Sequence, residues 1–345
     1  CLCDGMLDFK NVPRGSMHER VDALSDCEYW RALCPQLHVI DSGFIQHATC
    51  AGSFNYMDDP DAVDEMRRSM DHDGYATIIA GEKLPWAVDM VQMASGVKTL
   101  VDAGWPPSFL MLYDEPWALG LSVKELLLLT TNNRSIGDWS IFFVDPAVKG
   151  AAGWPPHRDR GKDETAAAFR PDGTPHYCTA WVPLTDATTS NSCLTVVPRA
   201  ADPGYIGAGD QGRNPLTQIF TTPSAFQQIR ALPCSAGSLI VFTHRLLHWG
   251  SAADPNSGAP PRVAVSFAAA DESFEKPYFA RHHLPFPPFE LRVALVAGNL
   301  LTYGQNDDPG VDRTDLWWSA FLRGRHQFSQ EYATRVAASK EWLDK

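Results

Sequence analysis

Apolar and polar positions change rhythm twice along this chain. Residues 58–70 place acids and a proline early and arginines late, the order that a helix dipole favours, and predict a helix. Asp73-Gly-Tyr-Ala-Thr-Ile-Ile79 then reads as a turn into a β-branched strand. Across 85–103 the apolar residues Trp86, Val88, Val91, Met93, Val97, Leu100 and Val101 keep a mostly helical spacing. Shorter helices are expected within 19–33 and over 122–129. From about residue 137 the texture becomes short apolar runs broken by Pro, Gly, Asn and Asp. The strand candidates are 139–144, 177–183, 193–197, 238–242 and 262–268, a spacing that suits an antiparallel barrel or sandwich. Helical spacing returns over 290–301, 314–322 and 329–343. The expected architecture is mainly β, with a helical shell packed outside the β core.

Composition narrows the class without altering this picture. The 345 residues are 44% apolar and 20% charged, ordinary for a globular chain with a substantial core. Eleven Trp and seventeen Phe point to an aromatic-lined interior or pocket. A net charge of −12 without a long basic run disfavours nucleic acid and anionic membrane as partners. No apolar run approaches the ~18 residues of a membrane span. Eight dispersed Cys form no Cys-x-x-Cys, which fits reduced thiols in an intracellular, cytoplasmic setting better than a disulfide framework or a zinc cage. Val12-Pro-Arg-Gly-Ser-Met17 resembles a protease-cleavage scar, so residues 1–16 read as a leader, a native targeting sequence could be missing, and 17–345 read as one domain.

The chemistry gathers in two stretches, Trp154-Pro-Pro-His-Arg-Asp-Arg160 and Phe242-Thr-His-Arg-Leu-Leu-His-Trp-Gly250. In an extended strand His157 and Asp159 point to one face and can grip a cation together. His248, at the end of a second apolar strand over 237–243, could be the third ligand, with His244 as its rival. Two His and one carboxylate with open positions form the facial triad of non-haem Fe(II) oxygenases. Alone the motif is weak, since a chance His-x-Asp is expected roughly once in a chain this long. Arg262, at the start of the next strand, carries a planar guanidinium suited to bidentate capture of a carboxylate.

Four ordered blocks make the signal specific. Met66-Arg-Arg-Ser-Met-Asp-His-Asp-Gly-Tyr-Ala-Thr-Ile78, His157-Arg-Asp159, Thr179-Ala-Trp-Val-Pro-Leu-Thr-Asp-Ala-Thr-Thr-Ser-Asn-Ser-Cys-Leu-Thr-Val-Val-Pro198, and Leu246-Leu-His248 with Arg262 resemble the phytanoyl-CoA dioxygenase family. The resemblance covers about 60–270 and leaves a C-terminal helical extension, about 285–345, outside it. It implies a double-stranded β-helix (a jelly roll of cupin type) with N- and C-terminal helices. It also implies Fe(II), with 2-oxoglutarate and O2 as cosubstrates and ascorbate as a candidate reductant.

The same resemblance assigns roles. His157, Asp159 and His248 become the metal ligands, and Arg262 the anchor of the distal 2-oxoglutarate carboxylate, with Ser251 and Trp181 beside it. Retention of Asp159 favours hydroxylation over halogenation, in which relatives lack the carboxylate. Trp139, Phe142 and Trp154 are the aromatic candidates for the substrate wall, with plain core burial as their alternative. Arg158, Arg160 and Lys162 could attract an acidic substrate, and His282-His283 could cap the site. The segment 160–176 is expected to form a lid. Two departures stand out: Arg199-Ala-Ala-Asp202 follows Pro198 where the family has Gly-Ser-His, and Trp249 is inserted after His248. The expected substrate is a small molecule or acyl derivative. The alternatives are the same chemistry on a macromolecule, or a catalytically silent jelly roll.

Overall fold

A computed structural model describes residues 17–51, 60–81, 84, 86–160, 168–206, 215–281, 285–303 and 311–345. Four helices come first: α1 (Met17–Leu24), α2 (Cys27–Leu33), α3 (Ser42–Ala51) and α4 (Pro60–Asp73). The helix expected within 19–33 is broken because Asp26 caps α2, its side chain accepting from the Glu28 N–H. Strand β1 (Tyr75–Ile78) follows, then α5 (Met90–Asp102) and α6 (Glu115–Thr131). Pro116 suits the first turn of α6 and Asn132 closes it with φ of 57°. The helix expected over 122–129 falls inside α6 and is shorter than it, because α6 is buried on nearly all sides and has no polar face to mark its ends.

The β region comprises β2 (Arg134–Val144), β3 (Tyr177–Pro183), β4 (Leu194–Val197), β5 (Arg230–Leu232), β6 (Leu239–Thr243), β7 (Leu247–Gly250) and β8 (Arg262–Ala270). Two one-turn helices, α7 (Leu216–Ile219) and α8 (Pro223–Phe226), lie between β4 and β5, and the chain ends with α9 (Phe289–Tyr303), α10 (Val311–Gly324) and α11 (Gln330–Leu343). A five-stranded antiparallel sheet runs β1-β6-β3-β8-β2, and a three-stranded one runs β5-β4-β7. The two sheets face each other as the halves of a jelly roll.

Strand β3 is buried along its whole length, as a strand covered on both faces must be. Its alternation divides two environments. Cys178, Ala180 and Val182 join the cluster shared with the helices, while Trp181 joins the cluster between the sheets. Strand β6 divides in the same way, with Leu239 and Val241 on the helix side and Ile240 and Phe242 inside. The N-terminal segment is fastened to α6 by Glu115, which accepts from the backbone and ring of His38, and α9 is fastened by the buried Arg292–Asp114 pair. The six described cysteines are free thiols, and no described helix is long and apolar enough to cross a membrane.

One expectation about β6 is corrected. His248 does not lie at the end of that strand. The chain turns through Thr243–Leu246, crosses to the other sheet and places His248 on the separate short strand β7. Burial rather than apolarity conceals this crossing, since both strands and the polar turn Thr243-His244-Arg245 between them are buried.

Candidate active site

His157, Asp159 and His248 converge, with one ligand atom from each lying within 4.8 Å of the others. The sequence separates His157 from His248, yet the segment before Asp159 adds to the edge of β7 through a bridge between these two residues. Gly153 and Gly250 allow that approach. A Cβ at Gly153 would meet the Gly250 Cα at 2.7 Å, and one at Gly250 would meet the Gly153 Cα at 2.5 Å.

Each ring is oriented from behind. His157 Nδ1 lies 2.7 Å from the Pro155 carbonyl and His248 Nδ1 lies 3.0 Å from the Leu246 carbonyl. Both carbonyls can only accept, so Nδ1 carries a proton in each ring, and a ring that has lost its Nε2 proton presents a lone pair there to a metal. Asp159 Oδ1 sits 3.5 Å from His157 Nε2 and 3.4 Å from His248 Nε2. Its Oδ2 accepts a short hydrogen bond from the Thr179 hydroxyl, which leaves Oδ1 as the free donor to a cation. Burial opposes ionisation of Asp159, but the charges of His248 and His157 and the hydrogen bonds from His157 and Thr179 outweigh it and hold the carboxyl far below its usual range. Burial and the neighbouring His157 push His248 down to about 4. A deprotonated carboxylate and a neutral imidazole are the states that bind a metal. His157 is also buried, but its hydrogen bond and attraction to Asp159 prevail and raise it.

A cavity of ≈ 270 Å³ opens beside the three residues, between the sheets. Arg262 stands at one end with its guanidinium over the Trp181 ring at 5.7 Å and the Phe142 ring at 5.9 Å. It is 3% exposed, its Nε has no hydrogen-bond partner, and no described carboxylate pairs with it. Burial pushes it down to about 10. An orphaned, buried cation facing a cavity is a site lacking its anion. The donor set and this orphan therefore suit Fe(II) and a dicarboxylate such as 2-oxoglutarate.

The remaining expected positions divide. Phe142, Trp154 and Arg160 line the cavity, whereas Trp139 and Ser251 do not. Trp139 packs in the core against Trp117 and Phe267. The reason is parity. Asp138, Ser140 and Phe142 share one face of β2, and Trp139 must point to the other. Ser251 spends its hydroxyl on Thr195 at 3.0 Å, and Ser192 lies on the cavity wall, accepting from the Gly153 N–H at 3.1 Å.

Neither described arginine of the motif offers free charge to an acidic substrate. Arg158 is buried in a pair with Asp202. Arg160 donates to Glu275 at 2.6 Å, to the Asp159 carbonyl at 2.8 Å and to Asp138 at 3.4 Å, and covers the Tyr177 ring. His244 stays outside the triad, its Nδ1 on the Tyr177 carbonyl at 2.9 Å. The described part of the expected lid, 168–176, is a small hairpin pinned by Arg170 to Asp271 and Asn133 and gives no residue to the cavity wall. Lys162, His282-His283 and the leader fall outside the described residues. The sequence reading missed Asp138, Thr179, Ser192 and Tyr303. Thr179 was within reach, two residues before Trp181 on the same strand face, but Tyr303 carries no local signal.

Residues 114–264 match the sequence profile of the phytanoyl-CoA dioxygenase (PhyH) family. No curated protein matches the chain significantly. Among solved structures the chain is similar to AviO1 from Streptomyces viridochromogenes Tue57, at 17% identity over 62% of this chain and 97% of that one, with a TM-score of 0.44. It is similar also to HygX from Streptomyces hygroscopicus, bound to nickel, 2-oxoglutarate and hygromycin B, at 15% identity over 62% and 89%, with a TM-score of 0.44. A third is the epimerase SnoN from nogalamycin biosynthesis, at 19% identity over 61% and 82%, with a TM-score of 0.41. The family match takes in all three converging residues and Arg262. In class this is an Fe(II)- and 2-oxoglutarate-dependent oxygenase on a jelly roll. Over residues 114–264 it is similar to the phytanoyl-CoA dioxygenase family.

Proposed function

We propose that this enzyme hydroxylates an unactivated C–H bond of a small molecule, converting substrate, 2-oxoglutarate and O2 to hydroxylated product, succinate and CO2. The observation that carries this reading is the convergence of three ligand atoms beside a cavity that an unpaired buried guanidinium also lines. When bound, Fe(II) with 2-oxoglutarate supplies the O2-derived oxidant that such a bond requires.

The chain's own residues then divide the work. His157, Asp159 and His248 hold the metal from one side and leave the cavity side open to the cosubstrates. Thr179 fixes Asp159 so that one oxygen is presented. Arg262 anchors the distal carboxylate, with Trp181 and Phe142 as its walls. Retention of Asp159 fills the position that a halide needs, which favours hydroxyl transfer. Leu194 and the aromatic wall keep water away from the reacting atoms. A cavity of ≈ 270 Å³ between two sheets suits a compact molecule better than a polymer strand, which needs an open groove.

The deciding experiment is anaerobic titration with Fe(II) and 2-oxoglutarate, observing the weak visible charge-transfer band of a chelated 2-oxo acid. The band is expected in the wild type and lost in His248→Ala. Its absence from folded, reduced wild-type protein ends this reading.

A further inference from the structure

Opposite Arg262, the cavity ends in a polar wall with a different chemistry. Along β2 the inward residues run Phe142, Ser140, Asp138, and Ser140 is paired in register with Ser266 of β8, which also lines the cavity. Asp138 lies six positions along β2 from Val144, the register partner of Arg262, roughly 20 Å of strand. Arg262 and Asp138 therefore mark opposite ends of this strand, and the metal triad borders the same cavity.

Asp138 is held from one side only. Its Oδ2 accepts from the hydroxyl of Tyr303 at 2.9 Å, and more loosely from the hydroxyl of Tyr177 and from Arg160, each at 3.4 Å. A relay fixes the direction of the first bond. Arg335 Nη1 donates to the Tyr278 hydroxyl at 2.8 Å, and the Tyr278 and Tyr303 hydroxyls meet at 3.0 Å. Tyr303 has one proton and gives it to Asp138, so Tyr278 must donate to Tyr303. Asp138 Oδ1 accepts no hydrogen bond from any described residue, although Asp138 is only 8% exposed and lines the cavity.

Charge accounting says what this oxygen lacks. Glu275 receives Arg160 on Oε2 at 2.6 Å and Arg335 on Oε1 at 2.9 Å, so both guanidiniums lie nearer to Glu275 than to Asp138. Two cations and two carboxylates balance overall, and the group left with unused capacity is an acceptor. A carboxylate or phosphate arriving here would face the Asp138 charge with Arg160 already engaged. A hydroxyl or an ammonium would complete the wall.

We propose that Asp138, held by Tyr303 from α9, is the specificity-determining residue of the substrate end, docking a hydrogen-bond donor group of a hydroxylated or amine-bearing small molecule. This rests on the oxygenase reading and supplies its substrate class. It also gives the C-terminal helices a function, since α9 lies outside the family match and delivers Tyr303 to the wall. Carboxylates, phosphates and other anionic head groups are disfavoured at this end.

The test uses three probes that share a ring and differ in head group: cyclohexylmethanol, cyclohexylmethylamine and cyclohexanecarboxylate. Their binding to full-length protein loaded with Zn(II) and 2-oxoglutarate is measured by saturation-transfer NMR titration. The alcohol and the amine should bind roughly tenfold or more tightly than the carboxylate, the scale of one charge-assisted hydrogen bond. Asp138→Asn should abolish the amine's advantage over the carboxylate while largely keeping the alcohol, and Tyr303→Phe should weaken both donors without affecting the carboxylate. Equal binding of all three, no binding of any, or an unchanged preference in Asp138→Asn overturns the proposal. The anaerobic Fe(II)/2-oxoglutarate band is recorded on the same proteins. A band in wild type and both variants with no head-group preference refutes the docking site alone, whereas loss of the band from wild type refutes the oxygenase reading.

Discussion

His157 and His248 exchange both of their backbone hydrogen bonds, each N–H reaching the other's carbonyl at 3.0 Å. The two imidazoles therefore leave a paired position on one face, with ring centroids 4.2 Å apart. Backbone, not side chains, sets the spacing of the candidate metal ligands.

Because the bridge is made by main-chain atoms, His248→Ala should leave the fold intact and remove the metal site. In wild type, metal at one hundred times its Kd should raise stability by about 2.7 kcal/mol. Differential scanning fluorimetry with Fe(II) or Ni(II) under anaerobic conditions should show that increase in His244→Ala and not in His248→Ala or Asp159→Ala. A metal-dependent rise that survives in His248→Ala would remove this histidine from the ligand set.

Arg262 separates binding from stability. A buried guanidinium without a counter-charge costs free energy in the apo protein, so Arg262→Met should leave the apo melting temperature unchanged or higher. Two charge-assisted hydrogen bonds to a carboxylate contribute about 3–5 kcal/mol, so 2-oxoglutarate affinity should fall by roughly a hundredfold or more. Calorimetric titration measures the second quantity and thermal unfolding the first. A large loss of apo stability with unchanged 2-oxoglutarate affinity would make Arg262 a framework residue.

Trp139 and Phe142 lie on opposite faces of β2, and substitutions should separate accordingly. Trp139→Ala should cost about 3–5 kcal/mol in urea unfolding, as expected for a large buried aromatic. Phe142→Leu should alter 2-oxoglutarate binding with little change in the unfolding midpoint. The reverse pattern would mean that the inward face of the strand is misassigned.

His244 should make the apo protein acid-sensitive. Burial pushes it down to about 4, from an ordinary value of 6.5. Below pH 6.5 the unfolded chain takes up a proton that the folded chain refuses, so stability is complete above that pH. It is lost progressively until about pH 4, by at most about 3 kcal/mol. His244→Asn keeps a donor for the Tyr177 carbonyl and removes the titration. Chemical unfolding between pH 7 and 4.5 should therefore give a flatter stability profile in the variant than in wild type; parallel profiles would exclude His244 as a source of the slope.

Much of this was legible along the chain, and the reason is physical. Strand β3 could be bounded to the residue because its apolar run begins just after Pro171-Asp-Gly-Thr-Pro175 and ends at Pro183. Helices α9 and α11 show their spacing clearly, and His157, Asp159 and Arg262 are types whose chemistry local spacing can suggest. Alternation in a strand also determines which residues share a face, and would have separated Trp139 from Phe142. Spacing does not say what a face will meet. The pairing of His157 with His248 comes from an edge bridge between distant segments, and the capture of Arg160 by Glu275 from a residue 115 positions away. Tyr303 reaches the cavity only because α9 lies beside the edge strand β2, where Asn299 donates to the Trp139 carbonyl. These contacts join elements whose own sequences are equally compatible with other partners, so the tertiary arrangement alone decided that Arg160 is neutralised, that Arg262 is left unpaired and that Asp138 keeps one oxygen free.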